Sequence, residues 1–519
     1  MITRNLVIFT LMLLQCSKDI VKAADVKPSY NDTIFGTESK AGADTLTNTK
    51  NALKYRVSTA AIVTSKGTLP FWMRSNQYGG VPLSGVSAVF AAETKRDYDT
   101  KERHLLDWGF GAEGQLNVGN RTQALLIQAY IKGKLGIFQL QGGRSRDIMG
   151  LVDSTLSSGS FSISGNALGV PKVELSIPEY WSIPILGKIL AVKGNFAHGW
   201  LGNQLVDYAR GDTIVNTFLH QKSFYARLGK PSWRLKIIGG FNHQAFWGSE
   251  IKQNPENFTL STLQTYRYVV FGQSYGERGT GLSRSKVGNH MGSIDQAFQY
   301  DFDNSQITGY HQFFYEVGGL YHLNNIKDGL WGLKYSNNRF RESSSNVRLK
   351  KILFEFMNSK SQGGEIDAKI TPSGDEDYYN NYLYPKGWTY NGENLGNPLF
   401  TSKKYARKNL PAINEYFTNN RIQAFHLGLD AAVSSFSILC KLTFSKNYGT
   451  YGTSPWGHSL NTKRTPGKPP YFERENQFSG YIEASKSIRN INFSLCAAMD
   501  QGSMLYNASG LWFKVSRSW

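Results

Sequence analysis

The chain of 519 residues contains only three cysteines and sixteen prolines. Past its first residues it also lacks any uninterrupted apolar run near the roughly 20 residues that a membrane helix requires. The nearest such run, Trp181 to Val192, is broken by Pro184 and Lys188. Transmembrane helices are therefore excluded, and so is a disulfide scaffold. No HExxH or CxxC occurs, and the nine histidines fall at no metal-ligand spacing, so neither a metal nor a cofactor is expected. Two motifs match known fingerprints but fail on context. Gly109-Phe-Gly-Ala-Glu-Gly114 has the glycine spacing of a dinucleotide loop, yet it lies inside an alternating strand rather than at the opening of a helix. Gly272-Gln-Ser-Tyr-Gly276 has the spacing of a nucleophile elbow and follows the strand-like run Tyr268 to Phe271, but it leads into a loop where a helix is needed. No catalytic residue is assigned.

The front of the chain indicates a compartment. Arg4, the apolar run Leu6 to Leu14 and the small residues Ala23-Ala24 form a charged, an apolar and a cleavage region, so residues 1–23 are expected to be a removable export signal. Gln15 before Cys16 does not fit a lipoprotein box, which needs a small residue there. Residues 24–54 are polar and rich in Thr, Asn, Asp and Lys, and are expected to form a periplasmic N-terminal segment. An exported chain without membrane helices is either secreted or a β-barrel.

The end of the chain points to the barrel. From Leu511 to Trp519 the odd positions read Leu511, Phe513, Val515, Arg517 and Trp519, and most even positions are polar. This two-residue period describes a strand with one apolar and one polar face. A closing strand in lipid ends on an interfacial aromatic in this way. Arg517 is the misfit, and it is expected at the membrane edge where its stem can reach the head groups. The segment Leu105 to Val118 alternates more cleanly. Leu106, Trp108, Phe110, Leu116 and Val118 share one face, while Asp107, Glu113, Gln115 and Asn117 share the other. Carboxylates and amides inside with apolar groups outside is the reverse of a soluble barrel.

Similar alternation appears in Ser223 to Leu228, in Trp233 to Phe241 and in four strands between Ala424 and Met499. Ser434-Ser435 and Ser487 to Asn490 fit tight turns, and Asn447 to Gln477, with four prolines, fits a long extracellular loop. Cys440 shares the parity of its apolar neighbours and Cys496 opposes that of its own, so a bridge is not expected. The segment Ile163 to Ile189 mixes glycine, proline and apolar residues and is expected to fold back rather than span. The predicted domain, 55–519, is a single outer-membrane barrel with long extracellular loops.

The formal charge is +19 and becomes +17 once the three cations and one aspartate of the signal are removed. Such a surface attracts acidic partners, namely anionic polysaccharide and the phosphates of lipopolysaccharide, and export disfavours nucleic acid. Aromatic residues in Gly/Asn-rich surroundings offer flat apolar faces to sugar rings, and neighbouring cations offer partners for carboxylates. The candidates for carbohydrate binding are Trp72, Arg74, Tyr78, Trp200, Trp331, Arg339, Lys386, Trp388, Tyr390 and Trp456.

A set of ordered segments carries a family resemblance. These are Pro70 to Gly79 (PFWMRSNQYG), Ser164 to Trp181, Gly194 to Gly202 (GNFAHGWLG), Asn289 to Asp295 (NHMGSID), Asp328 to Leu333 (DGLWGL) and Tyr378 to Tyr390 (YYNNYLYPKGWTY). From about Tyr55 to Trp519 the chain resembles the Wzi family of capsule-assembly outer-membrane proteins, in the form found in Bacteroidetes-type bacteria. The resemblance implies an all-β transmembrane barrel of about 18 antiparallel strands with helical or loop plug elements. It also implies a lectin that holds capsular polysaccharide at the surface of a Gram-negative cell; a non-enzymatic role is the leading reading, and a monomer is a separate expectation that the resemblance does not supply. The alternatives are a channel for anionic solutes and, less favoured, a barrel hydrolase using scattered residues such as His198, His290, His311 or His426.

Overall fold

The computed structural model describes residues 53–99, 104–206, 213–250, 258–275, 286–316, 325–341, 345–363, 376–460 and 463–519. The expected signal and nearly all of the polar N-terminal segment lie outside them.

Eighteen strands form one antiparallel sheet closed on itself. They are β1 (Lys54–Thr64), β2 (Ser87–Arg96), β3 (Leu106–Gly119), β4 (Gln123–Leu135), β5 (Phe138–Arg144), β6 (Lys172–Ser182), β7 (Leu190–Val206), β8 (Thr213–Leu228), β9 (Leu235–Trp247), β10 (Asn289–Asp301), β11 (Ser305–Tyr315), β12 (Gly329–Asn337), β13 (Val347–Asn358), β14 (Ile422–Val433), β15 (Phe436–Asn447), β16 (Glu475–Ile488), β17 (Ile491–Gly502) and β18 (Ala508–Ser518). Each strand pairs with its neighbour in sequence, and β1 pairs with β18. At the seam the Tyr55 and Trp519 backbones exchange hydrogen bonds of 2.9 and 3.1 Å. Closure leaves no unpaired edge, which a lipid-embedded sheet requires because hydrocarbon offers no partner to a free N–H or C=O.

Alternation matches the sequence reading. In β18 Leu511 and Phe513 are exposed while Trp512 and Lys514 are buried. In β3 Leu106, Trp108 and Leu116 face outward, and Asp107, Glu113, Gln115 and Asn117 face the lumen. The outer belt is therefore apolar and the inner wall polar, as a barrel in lipid requires. Arg517 lies half-buried at the end of β18, 5.9 Å over the Trp519 ring, and Trp519 stacks on Tyr55 at 6.2 Å. Cys440 faces outward and Cys496 inward; both are free.

Connections are short at one end, where Ser434-Ser435 and Arg489-Asn490 make two-residue turns with Ser434 and Arg489 at positive φ. At the other end the connections 65–86, 145–171, 248–288, 359–421 and 448–474 are long. Three of them turn inward and fill the lumen: Pro70–Ser84 with a one-turn helix α1 (Phe71–Arg74), Ser145–Pro171, and the described part of 359–421. The expected fold-back between Ile163 and Ile189 is correct only to Pro171. From Lys172 the chain spans as β6, its pairing with β7 slipping between Ile177 and Trp181.

Candidate functional site

The wall holds the inserted segments through carboxylates that accept their backbone N–H groups. Glu355 on β13 accepts Ser158 N–H at 2.7 Å and the hydroxyls of Ser157 (2.6 Å) and Tyr310 (2.5 Å). Asp295 on β10 accepts Leu151 N–H at 2.9 Å and the Tyr225 hydroxyl at 2.8 Å. Asp500 on β17 accepts Phe71 N–H at 2.8 Å. Glu113 on β3 pairs with Arg146 at 2.6 Å. Loop backbone buried in a lumen must find partners for its N–H groups, and charged acceptors are the strongest available. Gly332 makes one of these contacts possible, since a Cβ there would strike the Tyr310 ring that reaches across to Glu355.

The segments also bind one another. Ser164 N–H donates to Leu395 O at 2.9 Å, Tyr78 N–H to Gly165 O at 2.7 Å, and Trp388 Nε1–H to Ser162 O at 2.7 Å. Phe161 stacks on Phe314 of the wall at 4.2 Å, and Trp388 on Phe246 at 4.0 Å. The long-loop half of the lumen is thus a packed core.

This packing sorts the sequence-derived candidates. Trp72, Tyr78, Trp388 and Tyr390 are buried within the plug. Trp72 donates to Thr443 Oγ1 at 3.1 Å, and Tyr390 accepts from Arg144 at 2.9 Å. Their rings are spent on packing and are closed to a sugar. Trp200 and Trp331 are corrected more sharply. They lie on β7 and β12 with outward parity, and Trp331 forms a ladder with Phe356 (5.7 Å) while Phe356 meets Phe425 (4.9 Å). That ladder is the aromatic girdle of the lipid face. Arg339 is exposed in the turn between β12 and β13, at the short-turn end and away from the loops. Arg74, Lys386 and Trp456 remain accessible at the long-loop end.

Around them lie residues that sequence reasoning did not single out. The Arg74 guanidinium sits 3.6 Å over Tyr405, and Arg407 lies 5.8 Å from Tyr506, which is 43% exposed. Arg407 Nε–H donates to Leu505 O at 2.8 Å, and Lys408 N–H to the Tyr506 hydroxyl at 3.1 Å, so the run 403–410 is fastened to the turn between β17 and β18. Lys360 sits 4.1 Å over Tyr448, whereas Arg421 and Tyr451, 4.0 Å apart, are both buried and belong to the packing beneath. Burial, and then the neighbouring Arg421, lower the Lys360 ammonium from its ordinary range. Burial opposes the charge of Lys404, but the Tyr405 and Glu393 oxygens hold its ammonium above that range. The loop rim therefore carries cations paired with aromatic faces. The signal was present in Lys403-Lys404-Tyr405-Ala406-Arg407-Lys408, a basic run around a tyrosine.

The two tempting motifs also resolve. Gly109 and Gly114 lie inside β3. Tyr268 to Phe271, read as strand-like, is instead the last turn of a helix, α2 (Thr262–Phe271), with Gly272 as its left-handed cap. Gly276 lies outside the described residues. Among the described residues no group of three His, Cys, Asp or Glu side chains is placed to hold a metal.

The capsule assembly protein Wzi family model matches residues 49–425. No curated protein matches the sequence. Among solved structures, the fold is similar to that of Wzi from Escherichia coli, an outer membrane protein involved in group 1 capsule assembly and described as a carbohydrate-binding β-barrel. The TM-score is 0.50 at 11% identity over 89% of this chain and 83% of that one. OprD from Pseudomonas aeruginosa (TM-score 0.43, 9% identity, 90% and 93% covered) and OccAB2 from Acinetobacter baumannii (0.43, 9%, 90% and 98%) are more distant.

Proposed function

Because the chain belongs to the Wzi family of capsule assembly proteins, we propose that it is a non-enzymatic outer-membrane lectin whose loop rim binds an acidic capsular or extracellular polysaccharide and supports its assembly or attachment. The observation that carries this reading is the rim itself. Arg74–Tyr405, Arg407–Tyr506 and Lys360–Tyr448 each set a cation against an aromatic face. A uronic-acid polymer needs that combination, with a flat apolar surface for the ring and a cation for the carboxylate. Arg74, Lys386 and Trp456 are retained as site residues from the sequence, joined by Tyr405, Arg407, Tyr448, Tyr506 and Lys360.

The filled lumen supports a lectin over a channel, since a solute path must cross the core around Phe161 and Trp388. On this reading the long-loop end faces the medium, and residues 1–23 and 24–54 serve as export signal and periplasmic segment. Retention of the purified barrel on the host's own capsular polymer tests the function. No retention, together with unchanged capsule anchoring in a deletion strain, refutes it.

A further inference from the structure

The helix α2 does not enter the lumen. It lies across the outer face of β7 to β9, on the side that elsewhere meets lipid. Tyr266 packs 5.2 Å from Trp247, 5.6 Å from His198 and 5.8 Å from His220. All three have outward parity; the inward neighbour of Trp247, Phe246, stacks instead on Trp388 of the plug. Lys222, also outward, donates its ammonium to Val270 O at the helix C-terminus, where a cation complements the unpaired carbonyls. A separate apolar cluster of Ala245, Trp247, Phe258, Val269, Tyr275 and Val287 lies beneath. A Ser261–Gln264 capping box starts the helix and Gly272, at φ +60°, ends it.

The opposite face of α2 is uncovered. Leu263, Arg267 and Phe271 stand at i, i+4 and i+8 and form one stripe, with Leu263 79% and Phe271 69% exposed. Two large apolar side chains left in water on one stripe call for an apolar cover. The helix also sits at a particular height. The pairs Trp200↔Phe218 and Phe218↔Trp247 place three outward aromatics in one cross-strand row. It is the last aromatic row of these strands toward the long-loop end, where the membrane interface falls.

We propose that α2 is an interfacial helix of the barrel. It inserts Leu263 and Phe271 into the leaflet on the long-loop side and sets Arg267 against lipid phosphate. The proposal rests on the outer-membrane reading of the barrel. Continuity of the exposed stripe with the lipid-facing belt selects lipid as its occupant, and the arginine between two apolar residues matches the apolar-to-anionic boundary of a head-group layer. The helix thereby ties residues 258–275 to the bilayer surface.

The test uses the unmodified full barrel, reconstituted in vesicles of phosphatidylethanolamine and phosphatidylglycerol that carry a phospholipid with a photoactivatable carbene in its acyl chain near the head group. Mass spectrometry reads the labelled peptides. Labelling at Leu263 and Phe271 is expected, together with labelling of the lipid-facing β9 segment Leu235–Phe241, and a several-fold loss at the helix in L263E/F271E while the β9 signal persists. Labelled β9 with an unlabelled helix overturns the proposal, whether water or another protein covers the stripe. An unlabelled β9 overturns the membrane reading itself.

Discussion

Asp500 on β17 accepts the backbone N–H of Phe71 at 2.8 Å, across 429 positions of sequence. The contact joins the first inserted segment to the barrel wall at the start of α1. Its removal leaves a buried donor without a partner, at about 1–3 kcal/mol. Asp500→Ala is therefore expected to lower the unfolding midpoint of the detergent-solubilised barrel by several degrees, and Asp500→Asn, which keeps an acceptor, by less. Equal effects of the two substitutions on heat-modified gel migration would argue against a role for this bond.

Glu355 serves three donors at once, namely Ser157, Ser158 and Tyr310. Glu355→Ala removes the acceptor of all three and is expected to cost about 1–3 kcal/mol for the buried Ser158 N–H left without a partner, concentrated in the segment 145–171. Planar-bilayer recordings should show channel openings in the variant that the parent lacks. Silent membranes with folded variant protein would mean that the other plug contacts suffice.

At the rim, Tyr405→Ala and Arg407→Ala are each expected to weaken binding of an anionic capsular polymer about tenfold, the loss of one stacking or charge contact of about 1–2 kcal/mol. Rising salt should reduce the parent's affinity as well, because these cations are near solvent. Trp331→Leu, on the lipid face, should leave affinity unchanged. Surface plasmon resonance on immobilised polymer separates the two groups, and an effect of Trp331→Leu equal to that of Tyr405→Ala would move the site off the rim.

Glu250, just beyond β9, is 2% exposed; it accepts Gly248 N–H at 2.8 Å through one oxygen, while Oε1 has no partner among the described residues. Burial pushes its carboxyl up to about 7. A carboxyl whose folded value is raised holds its proton longer in the folded state, so stability falls as pH rises from about 4.5 through about 7 and is level above that. Glu250→Gln keeps an acceptor for Gly248 and removes the charge. It should match the parent at pH 4 and exceed it at pH 8, by at most about 3 kcal/mol. Denaturant midpoints at the two pH values check the sign, and a variant less stable than its parent at pH 8 contradicts it.

Much of the barrel was legible because lipid imposes a two-residue period that survives in a single strand. Leu106 against Asp107 and Leu511 against Trp512 already state which face is wet. The site was less legible because rings in irregular stretches carry no such period. Trp200 and Trp331 looked like loop aromatics, yet belong to strands flanked by glycines. Trp72 and Trp388 looked available, yet their indole N–H groups are taken up by Thr443 and Ser162. Tyr405 and Tyr506, far apart in sequence, share one rim because Ala406, Arg407 and Lys408 bind the turn at Met504, Leu505 and Tyr506.

By itself, the sequence determined the antiparallel barrel with short turns at one end, its closing strand up to Trp519 and the inside and outside of each alternating strand, since these follow from local period and solvent partition. The tertiary structure decided which long connections fill the lumen, which aromatics remain open and where α2 lies. Those outcomes depend on hydrogen bonds between residues hundreds of positions apart, such as Phe71 with Asp500 and Ser158 with Glu355, and no local pattern encodes such partners.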